Sequence, residues 1–189
     1  EMNLPCLRAD WIGEGGPMSD ELLVVRCQLG EREAFAELVR GWHPVVERYV
    51  GRMLGRSDDD VVQEIWLAIF KGLPRLRQPE RFPPWLFVVA RRAVMNQLRD
   101  AYRRPEPKPI DDPPGADEME RVVDRETLAG ALAALPARER EVLMLFYLED
   151  LPLDACAQIC AVPIGTVKSR LSRARKLLHH ELVRKGYQA

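Results

Sequence analysis

The chain has 189 residues, with 28 Lys and Arg against 29 Asp and Glu, 47% hydrophobic residues and four cysteines. That hydrophobic fraction excludes wholesale disorder, and a net charge of −1 excludes a protein that coats nucleic acid through its total charge. Cys6, Cys27, Cys156 and Cys160 are too few and too scattered for a disulfide framework, and no stretch of about eighteen apolar residues offers a membrane span. The opening E-M-N-L-P-C-L-R lacks both a basic segment and a continuous apolar run, so a reducing, cytoplasmic setting is expected.

In chain order, residues 1–17 hold Pro5, Gly13, Gly15, Gly16 and Pro17 with little periodicity and read as a loose extension, unless Trp11 anchors them to the body. Met18 reads as the natural start, with Ser19 or Asp20 capping a helix through Leu22, Leu23 and Cys27. From Glu31 onward Phe35, Leu38, Val39, Val45, Val46, Tyr49, Val50, Met53 and Leu54 keep a helical period across a kink expected at Pro44. After the break at Gly55-Arg56-Ser57, Ser57 or Asp58 caps a third helix whose positive end carries Asp58, Asp59 and Asp60. Its pattern places Val62, Ile65, Trp66, Ile69 and Phe70 inside, and Asp60, Gln63, Glu64 and Lys71 outside.

Leu73 to Pro84 contains four prolines and no period, and must be a loop. The next helix buries Leu86, Val89, Ala93, Val94 and Leu98. Arg92, Asn96, Arg99 and Arg103 recur at helical spacing on one stripe, with Arg91 and Arg104 beside it. Residues 105–126 change character: five prolines prevent regular structure through the first half, and eight acids oppose three bases. A helix from Thr127 to near Pro136 and another through Leu143, Phe146 and Tyr147 follow.

Between Leu151 and Leu178 a short helix, a break at Ala161-Val162-Pro163 and a longer helix entered through Ile164-Gly165-Thr166 have the layout of a helix-turn-helix. Val167, Leu171, Ala174 and Leu178 form its apolar stripe, with Thr166, Ser169, Arg170, Arg173 and Lys176 roughly opposite. From Ala161 to Lys185 seven bases face the single acid Glu181, a surface suited to phosphates and base edges. Taken alone, such a helix is as often a plain solvated face.

Four strings shift that balance: D-x-V-Q-E at Asp60–Glu64, W-L-x-x-x-A-R at Trp85–Arg91, L-P-x-R-E-R-E-V-L at Leu135–Leu143 and G-T-V-K-S-R-L-x-R-A-R at Gly165–Arg175. Together they resemble the extracytoplasmic-function (ECF) group of bacterial sigma-70 factors. The resemblance implies an all-α chain: an extension over 1–17, a region 2 domain over 18–104, a flexible acidic Pro-rich linker over 105–123, and a region 4 domain over 124–189. It assigns −35 element contacts to Thr166, Lys168, Ser169, Arg170, Arg173 and Lys176. For the −10 element it points to Arg77, Gln78, Arg81 and Phe82, which would capture a flipped base, and to Arg91, Arg92, Asn96, Arg99 and Arg103. Asp59, Asp60, Gln63 and Glu64 would meet the β′ coiled coil of core RNA polymerase, and the helices from Thr127 to Tyr147 its β flap.

Further partners implied are promoter DNA and an anti-sigma factor, often membrane-anchored, with no small-molecule substrate, no cofactor and no catalytic residue. Val88 departs from the family, which commonly has a basic residue there, and Ala161 replaces a usual turn glycine. Cys156 and Cys160, with His179 and His180, have a passing look of a metal site, but the two cysteines stand where the family has buried aliphatic residues and read as core. Two other readings compete: a sigma-like mimic that titrates an anti-sigma factor, and a helix-turn-helix regulator that is not a polymerase subunit. No phosphate loop, nucleophile elbow or zinc-protease motif supports an enzyme.

Overall fold

The computed structural model describes residues 19–103 and 125–186, without the side chains of Tyr102, Arg103, Arg125 and Glu126. Readings that fall on the extension, Met18, Trp11, Arg104 and the acidic linker lie outside the described residues. So does the side chain of Arg103.

Among the described residues every regular element is helical. Helix α1 (Asp20–Gln28) starts where the Ser19 hydroxyl accepts the Leu22 amide at 3.3 Å. Helix α2 (Arg32–Leu54) runs through Pro44 and ends on Gly55, whose φ of 73° gives the left-handed turn that a residue without a Cβ adopts cheaply. Helix α3 (Asp59–Gly72) is capped by Asp58, which accepts the Val61 amide at 3.2 Å. Asp58 also receives Arg56 at 2.6 Å and Gln97 at 3.3 Å, which pins the start of α3 to helix α4 (Phe82–Arg103). Between them, single 3₁₀ turns at Leu73–Arg75 and Pro79–Arg81 shape the proline-rich loop. The Gln28 amide donates to the Leu73 and Leu76 carbonyls at 3.1 and 2.8 Å, so α1 fixes this loop from behind.

Phe70 corrects the expected inward face of α3. It is 60% exposed and meets Phe35 edge-on at 5.1 Å, because its ring falls beside the packed stripe of Val62, Ile65, Trp66 and Ile69. Phe82 is likewise displaced from its expected role. It is fully buried, 0% exposed, with its ring edge-on to Trp42 at 5.7 Å, and cannot wall a base from there.

Helix α5 (Arg125–Ala134) packs on helix α8 (Ile164–Arg184), helix α6 (Ala137–Tyr147) lies against α8, and helix α7 (Leu153–Cys160) completes the unit. Leu132, Leu135, Leu143 and Ala174 form a small core closing α5 and α6 onto α8. The Ala161 turn between α7 and α8 has φ 52° and ψ 48°, the left-handed geometry that a glycine usually fills.

The two helical units are not separate in this structure. Helix α7 lies along α4, α2 touches α5 and α6, and one continuous core runs from Leu86, Phe87 and Val94 into Ala155, Ile159 and Cys160.

Candidate nucleic-acid interface

Three surfaces carry the residues singled out from the sequence. The first is α8. Val167, Leu171 and Ala174 are buried as its periodicity predicts, which leaves Lys168, Ser169, Arg173 and Lys176 exposed and Thr166 and Arg170 half-buried. Pro163 precedes the helix, where its missing N–H costs nothing. Ser169 donates back to the Thr166 carbonyl at 2.9 Å. Arg173 is exposed and stands 3.6 Å from the largely buried carboxylate of Glu139 on α6, a long contact that leaves its guanidinium open to a phosphate.

On α4 the stripe is partly intact. Arg92, Asn96 and Arg99 are exposed, and Arg99 donates to the Asn96 side chain and, at 3.2 Å, to the Met95 carbonyl. Arg91, beside that stripe, turns to the other unit instead. Its Nε lies 2.8 Å from Glu141 Oε1 of α6, within ion-pair distance but poorly aligned for a hydrogen bond, since that N–H has no well-directed acceptor.

The loop contributes a hollow of about 390 Å³ lined by Leu76, Arg77, Gln78, Arg81, Pro84, Trp85, Val88 and Gln158. Arg77, Gln78 and Arg81 are thus brought together. The aromatic wall expected of Phe82 is supplied by Trp85, and Val88 forms part of the apolar floor. Gln158 belongs to α7, so the other unit reaches the rim of this hollow.

The third surface surrounds the start of α3. Asp59, Asp60, Gln63 and Glu64 are all exposed there. Asp59 and Gln63 border a groove with Phe35, Val39, His43 and Trp66, so the acidic edge has an aromatic floor. Trp66 donates its indole N–H to His43 Nδ1 at 3.1 Å, which leaves the other ring nitrogen facing Glu47 at 3.3 Å.

What sequence reasoning missed is the junction between the units. Glu141 is 0% exposed and receives the Tyr49 hydroxyl at 3.4 Å beside Arg91. Arg140 donates to the Arg52 carbonyl at 2.9 Å, and Glu149 faces Arg48 and Arg52. Burial pushes the Glu141 carboxyl above its usual 4.5 against the pull of Arg91, and lifts the Tyr49 hydroxyl well above 10. No local signal marks these residues, because their partners lie far off in the sequence, 92 positions for Tyr49 and Glu141 and 88 for Arg52 and Arg140.

Cys156 and Cys160 are buried, with Cys160 beside Glu141. Among the described residues no three His, Cys, Asp or Glu side chains gather as a metal-binding group, and no helix is long and apolar enough to cross a membrane.

Comparison with known proteins matches residues 38–104 to the model of sigma-70 region 2 and residues 125–178 to that of sigma-70, region 4. The ECF RNA polymerase sigma-E factor of Haemophilus influenzae is 28% identical over 186 residues, covering 87% of this chain and 96% of the relative. The Escherichia coli protein of the same name is also 28% identical, over 87% and 95%. Among solved structures, CnrH in complex with the cytosolic domain of CnrY aligns with a TM-score of 0.63 at 27% identity, covering 89% of this chain and 99% of that one. The sigma factor RpoE from Bartonella quintana, solved with the anti-sigma factor NepR, shares the fold at a TM-score of 0.67 and 23% identity, over 79% and 97%.

Proposed function

Since the chain belongs to the ECF group of the sigma-70 family, we propose that it docks on core RNA polymerase and directs initiation by reading two promoter elements. It is a DNA-binding initiation factor; the bond-making belongs to the polymerase. The observation that carries the reading is one basic helix face on each unit, α4 with Arg92, Asn96 and Arg99, and α8 with Lys168, Ser169, Arg173 and Lys176.

In this reading α8 enters the major groove at the −35 element, where Arg170 and Arg173 reach base edges or phosphates. The hollow at Arg77, Gln78, Arg81 and Trp85 takes a base flipped from the −10 element, stacking it on the indole while the polar groups contact its edge. The exposed acids of α3 and the aromatic groove beside them meet the β′ coiled coil, and α5 and α6 meet the β flap. The domain limits remain 18–104 and 124–189, with 105–123 as their tether, in the cytoplasm. An anti-sigma factor is the expected regulator, in keeping with a structural neighbour solved on the cytosolic domain of a second protein. Each reader alone binds weakly, and one polymerase holding both raises their joint affinity.

Transcription of genomic DNA by bacterial core polymerase, with and without the purified chain, tests this reading. New start sites should appear only with the chain and vanish with Arg170→Ala/Arg173→Ala, which should still bind polymerase. A mimic would bind an anti-sigma factor and start no RNA.

A further inference from the structure

Helix α1 is apolar on two sides. Leu23 and Val24 are buried against the body, whereas Leu22, Val25 and Leu29 are 46%, 37% and 76% exposed. Their spacing of i, i+3 and i+7 makes them one stripe along the outer side of the helix. The helix cannot roll to bury that stripe, because hydrogen bonds hold both of its ends. Asp20 accepts the Trp42 indole at 3.0 Å, and Gln28 donates to the Leu73 and Leu76 carbonyls. A contiguous apolar row open to water marks a place where something sits. A second copy is a poor fit, since a nine-residue helix is only about 13 Å long and a stable pairing needs roughly 800 Å² from each partner.

The chain just before α1 carries the matching pattern. Leu4, Leu7 and Trp11 repeat the spacing i, i+3 and i+7, and Ile12 follows them. Pro5 stands at the beginning of this run, where a helix tolerates proline. Gly13-Glu14-Gly15-Gly16-Pro17-Met18 then joins the run to Ser19, a connection rich in turn formers and of ordinary helix-to-helix length. A segment tethered so closely meets the stripe at a high effective concentration, so a small contact suffices. We propose that residues 4–12 fold back antiparallel onto α1 and cover Leu22, Val25 and Leu29, with Trp11 over Leu22 and Leu4 over Leu29. Because the other side of α1 holds the Leu73 and Leu76 carbonyls, this strap braces from behind the loop that lines the Arg77 hollow.

Intrinsic fluorescence of the full chain tests the strap. Subtracting the spectrum of Trp11→Phe, which keeps an apolar ring at that position, isolates the Trp11 emission from that of Trp42, Trp66 and Trp85. That emission should lie to the blue of its value in urea. A docked-to-free ratio of about ten, which 1.4 kcal/mol supplies, should cut its quenching by iodide about tenfold. Leu22→Ser/Leu29→Ser should return the Trp11 signal to that of a free indole. Leu4→Ser/Leu7→Ser should do the same without touching α1, which keeps the test decisive if the first pair disturbs the fold. A chain beginning at Met18 should bind more of a hydrophobic dye than the full chain, and Leu22→Ser/Leu29→Ser in that shorter chain should remove the gain. A Trp11 emission as red and as quenchable as in urea overturns the strap, as does a shielded Trp11 that neither serine pair releases. Shielding that appears only where light scattering shows a doubled mass gives the stripe to a second copy, and shielding only on addition of core polymerase gives it to another protein; either result overturns the proposal.

Discussion

The indole edge of Trp85 comes up against Gly72: a Cβ built there would come within 2.8 Å of the ring carbon Cζ2 and 3.2 Å of Cη2. This close approach couples the end of α3 to the start of α4 and fixes the aromatic wall of the loop hollow. Gly72→Ala should therefore lower stability. Overpacking costs about 1–3 kcal/mol, more than the roughly 0.5–1 kcal/mol that alanine returns in helix propensity. A urea midpoint at or above wild type would show that the ring can yield.

Ala161 gives the opposite expectation. Its left-handed backbone costs an alanine about 1–2 kcal/mol, while a glycine gives back part of that in unfolded-chain entropy. Ala161→Gly should stabilise the protein by up to about 1 kcal/mol and raise the thermal midpoint. A lower midpoint would mean that the exposed methyl is serving a contact elsewhere.

At the junction the sign of the pH dependence is fixed by burial. Glu141, facing Arg91, Tyr49 and Cys160, and Glu149, facing Arg48 and Arg52, both hold their protons more tightly folded than the usual 4.5. The folded state thus binds more protons than the unfolded chain over a window extending upward from 4.5. Their contribution is complete below that value and is lost as pH rises through the raised folded values. The stability of wild type minus that of Glu141→Gln should fall from pH 4.5 towards neutrality in denaturant melts. A difference that grows over that range contradicts the assignment.

Burial raises the Cys156 and Cys160 thiols to about 11 and about 12, so almost no thiolate exists near neutral pH. Iodoacetamide followed by mass spectrometry should leave both unmodified in the native protein and label both in denaturant. Labelling of Cys156 at the rate of an exposed thiol would overturn the core reading.

Charge reversal on α3 probes the polymerase-facing surface. Asp60 and Glu64 are exposed and make no packing contribution, so Asp60→Lys/Glu64→Lys should keep the fold and weaken capture of core polymerase. Unchanged affinity in a pull-down with core enzyme would remove the acidic edge from that role.

Much of this was legible because it is local. The helical period fixed the buried stripe of α8, residue type narrowed the cap of α3 to Ser57 or Asp58, and the departure at Ala161 anticipated its strained turn; the prolines marked a loop from Leu73, but α4 starts at Phe82 and takes Pro83 and Pro84 into its first turn. Phe70 and Phe82 were misplaced for one shared reason: apolarity marks a residue for burial somewhere, but a helix edge and a loop end are resolved only by what packs there. Phe82 found Trp42 across the core, and Phe70 found only Phe35 at the surface. Glu141 was unreadable, since a charged residue in an exposed-looking R-E-R-E run gives no hint that a distant arginine and tyrosine will bury it.

The uncovered ring of Phe70, beside Phe35, has a consequence for handling and lifetime. An aromatic patch open to water is tolerable while a larger body covers it and a liability when the protein is in excess. Preparations should grow turbid with concentration sooner than a Phe70→Ser version, and co-expression with a companion that shields the patch should raise the yield of soluble material.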